Sequence, residues 1–419
     1  MVRRILYFFL FLFAKVVLSQ NYLIKNINVV SSNEGKILLT GDVAIENGLI
    51  KEIKKGLKPS KFKGFEVIDG KDKFLIPGLA DMHVHLPDEQ SLINFEDTYK
   101  FYLTNGITHL RSMQGKPSHP KHRDSIVNGL IKAPELYISI PLPDKDSLVQ
   151  KKALIDFMLQ YRHGKYQFVK YLNGLKPETI KSLSKLFEPR KIILAGHAYN
   201  DLQTSVDLNF RSIEHMSPIV NAYLHDTIQF RQIAKKMKEK DIFVCPTISF
   251  AKIVGFQFEL EELLNRNGIA NLDSAVIKSW KSQYIAYANP KKHITANLYN
   301  KQKKAAAGEF ETLINAIRIL KQEGVKFLLS PDAVLFNVPG YAMFHEMQEY
   351  KALGFTESEI LKICTVNAAD FYREATKWGD IKVGMKANLV LLDGNPLESI
   401  ENFKKVSKTM VNGKILFSN

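Results

Sequence analysis

Leu75-Ile76-Pro77-Gly78-Leu79-Ala80-Asp81-Met82-His83-Val84-His85 is the stretch from which the rest of this chain can be read. It is largely apolar and turns ionisable towards its end. A strand covered on both faces has this texture, because neither side-chain direction meets water. Residues i and i+2 of a strand point the same way, so His83 and His85 can address one ion together. Working outward, Ala80–Leu86 is the first of eight runs of similar character. The others are Ile107–Met113, Glu135–Ile140, Phe168–Leu172, Ile192–His197, Ser212–Met216, Ile242–Ile248 and Phe327–Asp332, with helical patterns between them. Eight βα units predict an α/β chain folded as a (β/α)8 TIM barrel rather than a doubly wound sheet.

The two ends read differently. Tyr22–Val30 is a strand, and Asn47-Gly48 between Asp42–Glu46 and Leu49–Ile53 marks a type I′ hairpin. Phe65–Ile68 and Phe74–Pro77 are further short apolar runs. Asn388–Leu392 and a second turn, Asn412-Gly413 between Thr409–Val411 and Lys414–Phe417, repeat the texture at the far end. The expectation is a small β-sandwich composed of residues 20–73 and 378–419, with the barrel at 74–377. A helical insertion at about 254–321 carries Glu259–Asn265, Ala275–Tyr287 and Lys301–Lys321. Lying between the seventh and eighth strands, it is expected on the active-site face, as a cover for substrate.

Composition narrows the classes. A chain of 419 residues with 45% hydrophobic and 24% charged residues can bury a large core, which excludes a disordered protein. No fixed-period repeat stands out, which excludes a solenoid. The net charge is +15, but lysines are scattered over every helical pattern, so a basic solvated surface is expected and no nucleic-acid partner. Arg3 and Arg4 precede the apolar run Ile5–Phe13, so residues 1–19 read as a signal peptide, with export to the periplasm or medium. An uncleaved anchor is the alternative, since Lys15 interrupts the segment. The run is shorter than the roughly 20 residues of a membrane span, so no stable insertion is expected after removal of the signal. Cys245 and Cys364 read as two buried thiols, and a homo-oligomer is compatible with everything above.

In a TIM barrel the chemistry sits at the C-terminal strand ends. Besides His83 and His85, Lys170 ends the fourth run, His197 the fifth, Glu214-His215 the sixth and Asp332 the eighth. A set of histidines and carboxylates suits zinc. Arg111 either touches substrate or makes a structural ion pair, and Tyr199 either reaches a substrate carbonyl or packs. Thr247 is expected to line the pocket. His119, His122 and His163 read as exposed loop residues. His345-Glu346 is not a metalloprotease motif, because Glu349 stands where a second histidine is required.

The first stretch is joined by Gly106-Ile107-Thr108, Phe168-Val169-Lys170, His197-Ala198, Ser212-Ile213-Glu214-His215 and Pro331-Asp332-Ala333. Thr365-Val366-Asn367-Ala368-Ala369, Gly384-Met385-Lys386-Ala387-Asn388 and Asn395-Pro396-Leu397 follow in the tail. On these residues the chain resembles the amidohydrolase superfamily, in the branch of imidazolonepropionase-like and Xaa-Pro dipeptidase-like enzymes. The resemblance implies two divalent ions, of zinc type. His83 and His85 would hold the more buried one with Asp332, and His197 and His215 the second. Lys170 would carry CO2 as a carbamate that bridges both. Three departures from the family pattern leave these ligands intact and put substrate choice in question: Ser330-Pro331 for Gly-Thr, His109 for a small residue, and Asn388 for Asp.

The implied mechanism is hydrolysis of an amide C–N bond in a small substrate, a dipeptide or N-acyl amino acid. A metal-activated hydroxide would attack, with Asp332 as general base and then acid. The same site could serve a lactonase, a cyclic amidase or a phosphotriesterase. A non-catalytic binding protein is the reading from another class, and the complete ligand set argues against it.

Overall fold

A computed structural model describes residues 20–88, 90–142, 144–145, 166–288 and 296–419 of the chain, the side chains of 287–288, 296–307 and 309 excepted. The proposed signal segment 1–19 and His163 lie outside the described residues. From the N-terminal side come β1 (Tyr22–Ser31), β2 (Lys36–Glu46), β3 (Leu49–Lys54), β4 (Glu66–Asp69) and β5 (Phe74–Pro77). The barrel strands are β6 (Leu79–Val84), β7 (Ile107–Ser112), β8 (Glu135–Pro141), β9 (Phe168–Tyr171), β10 (Ile193–His197), β11 (Ser212–Glu214), β12 (Phe243–Cys245) and β13 (Lys326–Phe327). At the C-terminal side are β14 (Leu389–Leu392), β15 (Val406–Val411) and β16 (Lys414–Ser418).

The two chain ends form one 8-stranded sheet in the order β16-β15-β14-β5-β1-β2-β3, with β4 also on β1. The seam is β5, antiparallel to β14 with Leu75 opposite Leu391, and parallel to β1. The expected sandwich is therefore one continuous sheet whose two arms share an interior: Tyr22, Ile24, Val43 and Ile45 pack with Leu389, Leu391 and Met410. Both Asn-Gly turns carry positive φ at each central residue, Asn47 and Gly48 at 52° and 80°, Asn412 and Gly413 at 49° and 71°. That geometry matches the right-handed twist of the flanking strands. Near the rim Leu49 bridges Lys386, and the Gly413 N–H donates to the Ala387 carbonyl.

The eight barrel strands run parallel in sequential order from β6 to β13. The first and last are tied where Met82 N–H donates to Leu329 O at 3.1 Å. Alternation sorts the side chains. Val169, Leu194, Ile213 and Val244 face the helices. Phe168, Ile193, Ala195, Phe243 and Cys245 pack inside with Trp378 and Phe371. Two residues further along the same strands come Lys170 after Phe168 and His197 after Ala195, so the ionisable groups stand on an apolar lower layer. Both cysteines are free and buried. Among the described residues no helix is long and apolar enough to cross a membrane.

The insertion carries helices Leu260–Leu264, Ser274–Ala288 and Ala296–Gln322. The last is 27 residues long, and its later part seats Leu313, Ala316, Ile317 and Leu320 against the barrel. It is the barrel's own seventh helix, lengthened at its N-terminal end. The earlier part makes a satellite cluster in which Leu263, Ile269 and Tyr284 pack with Phe336 and Val338 of the eighth loop.

Gly196 shows how tightly the strands are set. Its φ is +143°, and a Cβ there would lie 1.9 Å from the Tyr171 carbonyl oxygen on the neighbouring strand. Gly196→Ala is expected to cost about 1–3 kcal/mol through backbone strain, read as a lowered thermal midpoint. An unchanged midpoint would show that β9 and β10 can part without penalty.

Candidate metal centre

His83 is fully buried, and its ring is held from behind. Its Nδ1 lies 2.8 Å from Glu214 Oε2, while its Nε2 is buried without a hydrogen-bond partner. Glu214 is itself neutralised by Arg111, whose Nη2 reaches both carboxylate oxygens at 2.9 and 2.8 Å. Arg111 also donates to Ser212 Oγ at 2.9 Å and from Nε to the Met82 carbonyl, and the Ser212 hydroxyl donates to Glu214. With the proton of Nδ1 directed at a carboxylate, the Nε2 lone pair is left for the centre. Metal-binding histidines are commonly oriented this way.

The other groups close around that nitrogen. The rings of His83 and His215 are 4.7 Å apart between centroids, those of His197 and His215 5.0 Å, and those of His83 and His85 5.5 Å. One donor atom each from His83, His215 and Asp332 falls within 4.8 Å of the others. His85 Nε2 lies 3.5 Å from Asp332 Oδ1, and that oxygen too is buried without a hydrogen-bond partner. Burial, then the charge of Lys170, holds His85 and His197 down to about 4. Burial, then His197 and Lys170, holds His215 down to about 3. All three are thus neutral imidazoles, the state that binds metal. Burial pushes Asp332 up to about 7 and Lys170 down to about 8, the latter against the pull of Glu214 and Asp332. Unpaired nitrogen and oxygen lone pairs converging on one point, with neutral histidines around it, fit a divalent cation.

A second grouping, His83 with Glu214 and Cys245, does not fit. The Glu214 oxygens are taken up by Arg111, and burial pushes the Cys245 thiol well up, away from the thiolate a metal needs.

Local backbone explains how neighbouring residues converge. Glu214 and His215 are adjacent, yet both face the centre, because His215 has φ +63° and breaks the strand alternation. Thr247 and Asp332 are also left-handed, at +50° and +48°. Strained residues of this kind gather at functional sites. Thr247 Oγ1 lies 2.9 Å from His215 Nδ1 and orients that ring as Glu214 orients His83.

Above these groups opens a cavity of about 940 Å³, with His85, Lys170, His197, His215 and Asp332 in its lining. Thr247 lines it as expected. Arg111 does not: it is wholly buried beneath the site in its ion pair, so the reading of Arg111 as a substrate contact is corrected. Tyr199 is corrected likewise, since its hydroxyl donates to Leu175 O at 2.8 Å and its ring stacks on Tyr171 at 5.0 Å. Nor is His119 an exposed loop residue. It is buried, and His122 stacks on Phe95 at 4.1 Å, because the helix His119–Val127 folds back on the helix Phe95–Thr104. The sequence reading gave no role to Gln114, Asn173, Asn221 and Gln257, which supply polar lining from loops that carry no motif.

The departures from the family pattern have local explanations. Ser330 donates to Asp81 Oδ1 at 2.5 Å, and its Oγ lies 3.0 Å from the His83 carbonyl oxygen, drawing the eighth strand end to the first. His109 and Asn388 are each other's partners, with Asn388 Nδ2 3.1 Å from His109 Nε2. His109 also stacks on Trp378 at 3.7 Å. That pair joins the barrel to the end sheet and does not line the cavity.

The sequence pattern described as the amidohydrolase family matches residues 74–416. The chain belongs to the amidohydrolase family. A dihydroorotase from Trichlorobacter lovleyi is 53% identical to this amidohydrolase over 68 residues, 16% of this chain and 15% of that protein. The chain thus spans only a small part of the length of that curated relative. A solved Xaa-Pro dipeptidase with methionine bound in its active site is 17% identical, with a TM-score of 0.69 over 96% of this chain and 100% of that one. A. niger ochratoxinase is 18% identical, with a TM-score of 0.68 over 96% of each chain. At these identities the likeness is one of fold, and the fold is that of the branch the motifs resemble.

Glu214→Gln is expected to lower metal affinity about 10–100-fold, the usual effect of removing a carboxylate behind a metal-binding histidine. Chelator competition measures it. Unchanged affinity would mean that His83 needs no such support.

Proposed function

We propose that this amidohydrolase cleaves the amide C–N bond of a small substrate, a dipeptide or an N-acyl amino acid. The observation that carries the reading is Asp332. It is a buried carboxylate in the cavity lining, with one oxygen free of any hydrogen bond and set beside His85. A group so placed can take a proton from an attacking water and hand it to the leaving nitrogen. His83, His85 and Asp332 would hold one divalent ion and His197 and His215 a second, which we assign as zinc. When bound, such ions acidify a water and polarise the scissile carbonyl.

Lys170 is the remaining member of the set. An ammonium buried among imidazoles is unfavourable where it stands. Its neutral amine can instead add to the carbon of CO2, forming an N–C bond and releasing one proton. A carbamate at Lys170 would offer oxygens for divalent ions in place of a repelling cation. Glu214 and Thr247 orient His83 and His215. The local likeness to a dihydroorotase favours a second reading, a cyclic amide, which keeps the same bond and the same residues. Residues 1–19 we read as an export signal, which would place the activity outside the cytoplasm.

Amine release by zinc-loaded protein, prepared with bicarbonate, tests this across dipeptides, N-acyl amino acids and cyclic amides. Asp332→Asn is expected to keep much of its metal and lose at least about 100-fold in kcat. Lys170→Ala is expected to lose both metal and turnover. Near-normal turnover in Asp332→Asn would remove the proton role assigned to that residue. Turnover of lactones or phosphotriesters alone would replace the amide.

A further inference from the structure

Three helices each turn a pair of apolar side chains towards the same cavity. Val220 and Leu224 stand four residues apart on the helix Ser217–His225, which follows β11. Phe250 and Val254 hold the same spacing on the helix Ile248–Val254, which follows β12. Phe310 and Leu313 are three apart on the long helix Ala296–Gln322. Positions three or four apart lie on one helix face, so each pair is a single apolar strip, and the three strips make one wall. The wall begins at the metal centre, where the Phe250 ring lies 6.3 Å from that of His215. It ends at the mouth, where Leu224 is 63% exposed.

This wall is not finished packing. Val220, Phe250, Val254 and Phe310 are half-buried, their remaining surface open to the cavity. Other residues of the same helices, Ile219, Ile253 and Ile317, are fully buried against the body of the protein. The helices therefore have apolar surface to spare after their own core is made. The carboxylate of Glu346 fixes the middle helix, accepting from the N–H groups of Ile248 and Ser249 at 2.8 and 2.7 Å. A cavity of about 940 Å³ is near the upper end of small-molecule sites and larger than two short polar residues require.

The geometry points to a substrate that carries a bulky apolar group, aromatic or branched aliphatic, beside the scissile bond, seated on the wall of Val220, Leu224, Phe250, Val254, Phe310 and Leu313. This rests on the amide-hydrolase reading and narrows it. Covering a phenyl-sized group is worth about 10–100-fold in affinity.

Two measurements separate the inference from that reading. In the first, the zinc-loaded enzyme is given matched amides with glycine, leucine or phenylalanine on the acyl side, and then on the amine side. We expect kcat/KM to rise about 10–100-fold from glycine to phenylalanine on one side, mainly through KM. In the second, calorimetry compares N-methyl phenylacetamide with N-methyl acetamide and needs no turnover. The aromatic amide is expected to bind at least about 10-fold more tightly, and Leu224→Glu and Phe250→Ala each to reduce that ratio. Leu224, being exposed, can be changed without loss of fold. Amides cleaved without preference on either side, or equal binding of the two probes, would overturn the inference and leave the amide reading standing. Tight aromatic binding with only lactones or phosphotriesters cleaved would remove the amide and keep the wall.

Discussion

Beneath the centre, Arg111 and Glu214 form a fully buried ion pair, and the placement of the other groups depends on it. An isolated carboxylate at that depth would be costly, and an isolated guanidinium equally so; together, with Ser212 and the Met82 carbonyl taking the remaining hydrogen bonds, they are tolerated. The pair contributes little to stability by that argument. What it supplies is orientation. It sets which nitrogen of His83 carries the proton, and it spans β6, β7 and β11 through residues that share no local sequence. Breaking it would leave one charge buried alone, at a cost of about 3–5 kcal/mol.

A second constraint acts at the strand ends. His215, Thr247 and Asp332 all hold left-handed backbone, each at a cost of about 1–3 kcal/mol. The core beneath them, from Phe168 to Trp378, is dense enough to enforce it. The lower half of the barrel is thus where stability is made, and the upper half is where it is spent. Along β9 and β10 the chain separates the two by placing apolar residues first and Lys170 and His197 after them.

Much of this was legible in the sequence, and the limits follow a pattern. Each of the eight predicted barrel runs holds a strand, the eighth at Phe327 only, because a strand covered on both faces must be apolar regardless of its neighbours. Asn47-Gly48 and Asn412-Gly413 announce their turns for an equally local reason, the need for positive φ. Lys170, His197, His215 and Asp332 could be singled out because they stand at the ends of such strands, and the structure brings them to one cavity. Arg111 could not be decided, since its partner is 103 residues away and nothing local distinguishes an arginine beneath a site from one above it. His119 stands in a run of histidines, lysine and proline that reads as surface, and only the helix Phe95–Thr104 beside it accounts for its burial. The β-sandwich became one sheet because pairing across β5 depends on residues more than 300 positions apart.

That pairing bears on the order in which the molecule can be assembled. Phe74–Pro77 runs directly into Leu79–Val84, so the strand that carries His83 is anchored by a neighbour hydrogen-bonded to Leu389–Leu392. During synthesis His83 and His85 emerge early, but the strand beside them lacks its antiparallel partner until Leu389–Leu392, more than 300 residues later, has been made. Closing so long a loop is slow, and native contacts of high sequence separation reward it only at the end. Phe74–Pro77 must therefore wait, with one strand edge unpaired, for a partner made more than 300 residues later. Such an edge is the part of a nascent chain most prone to pair wrongly.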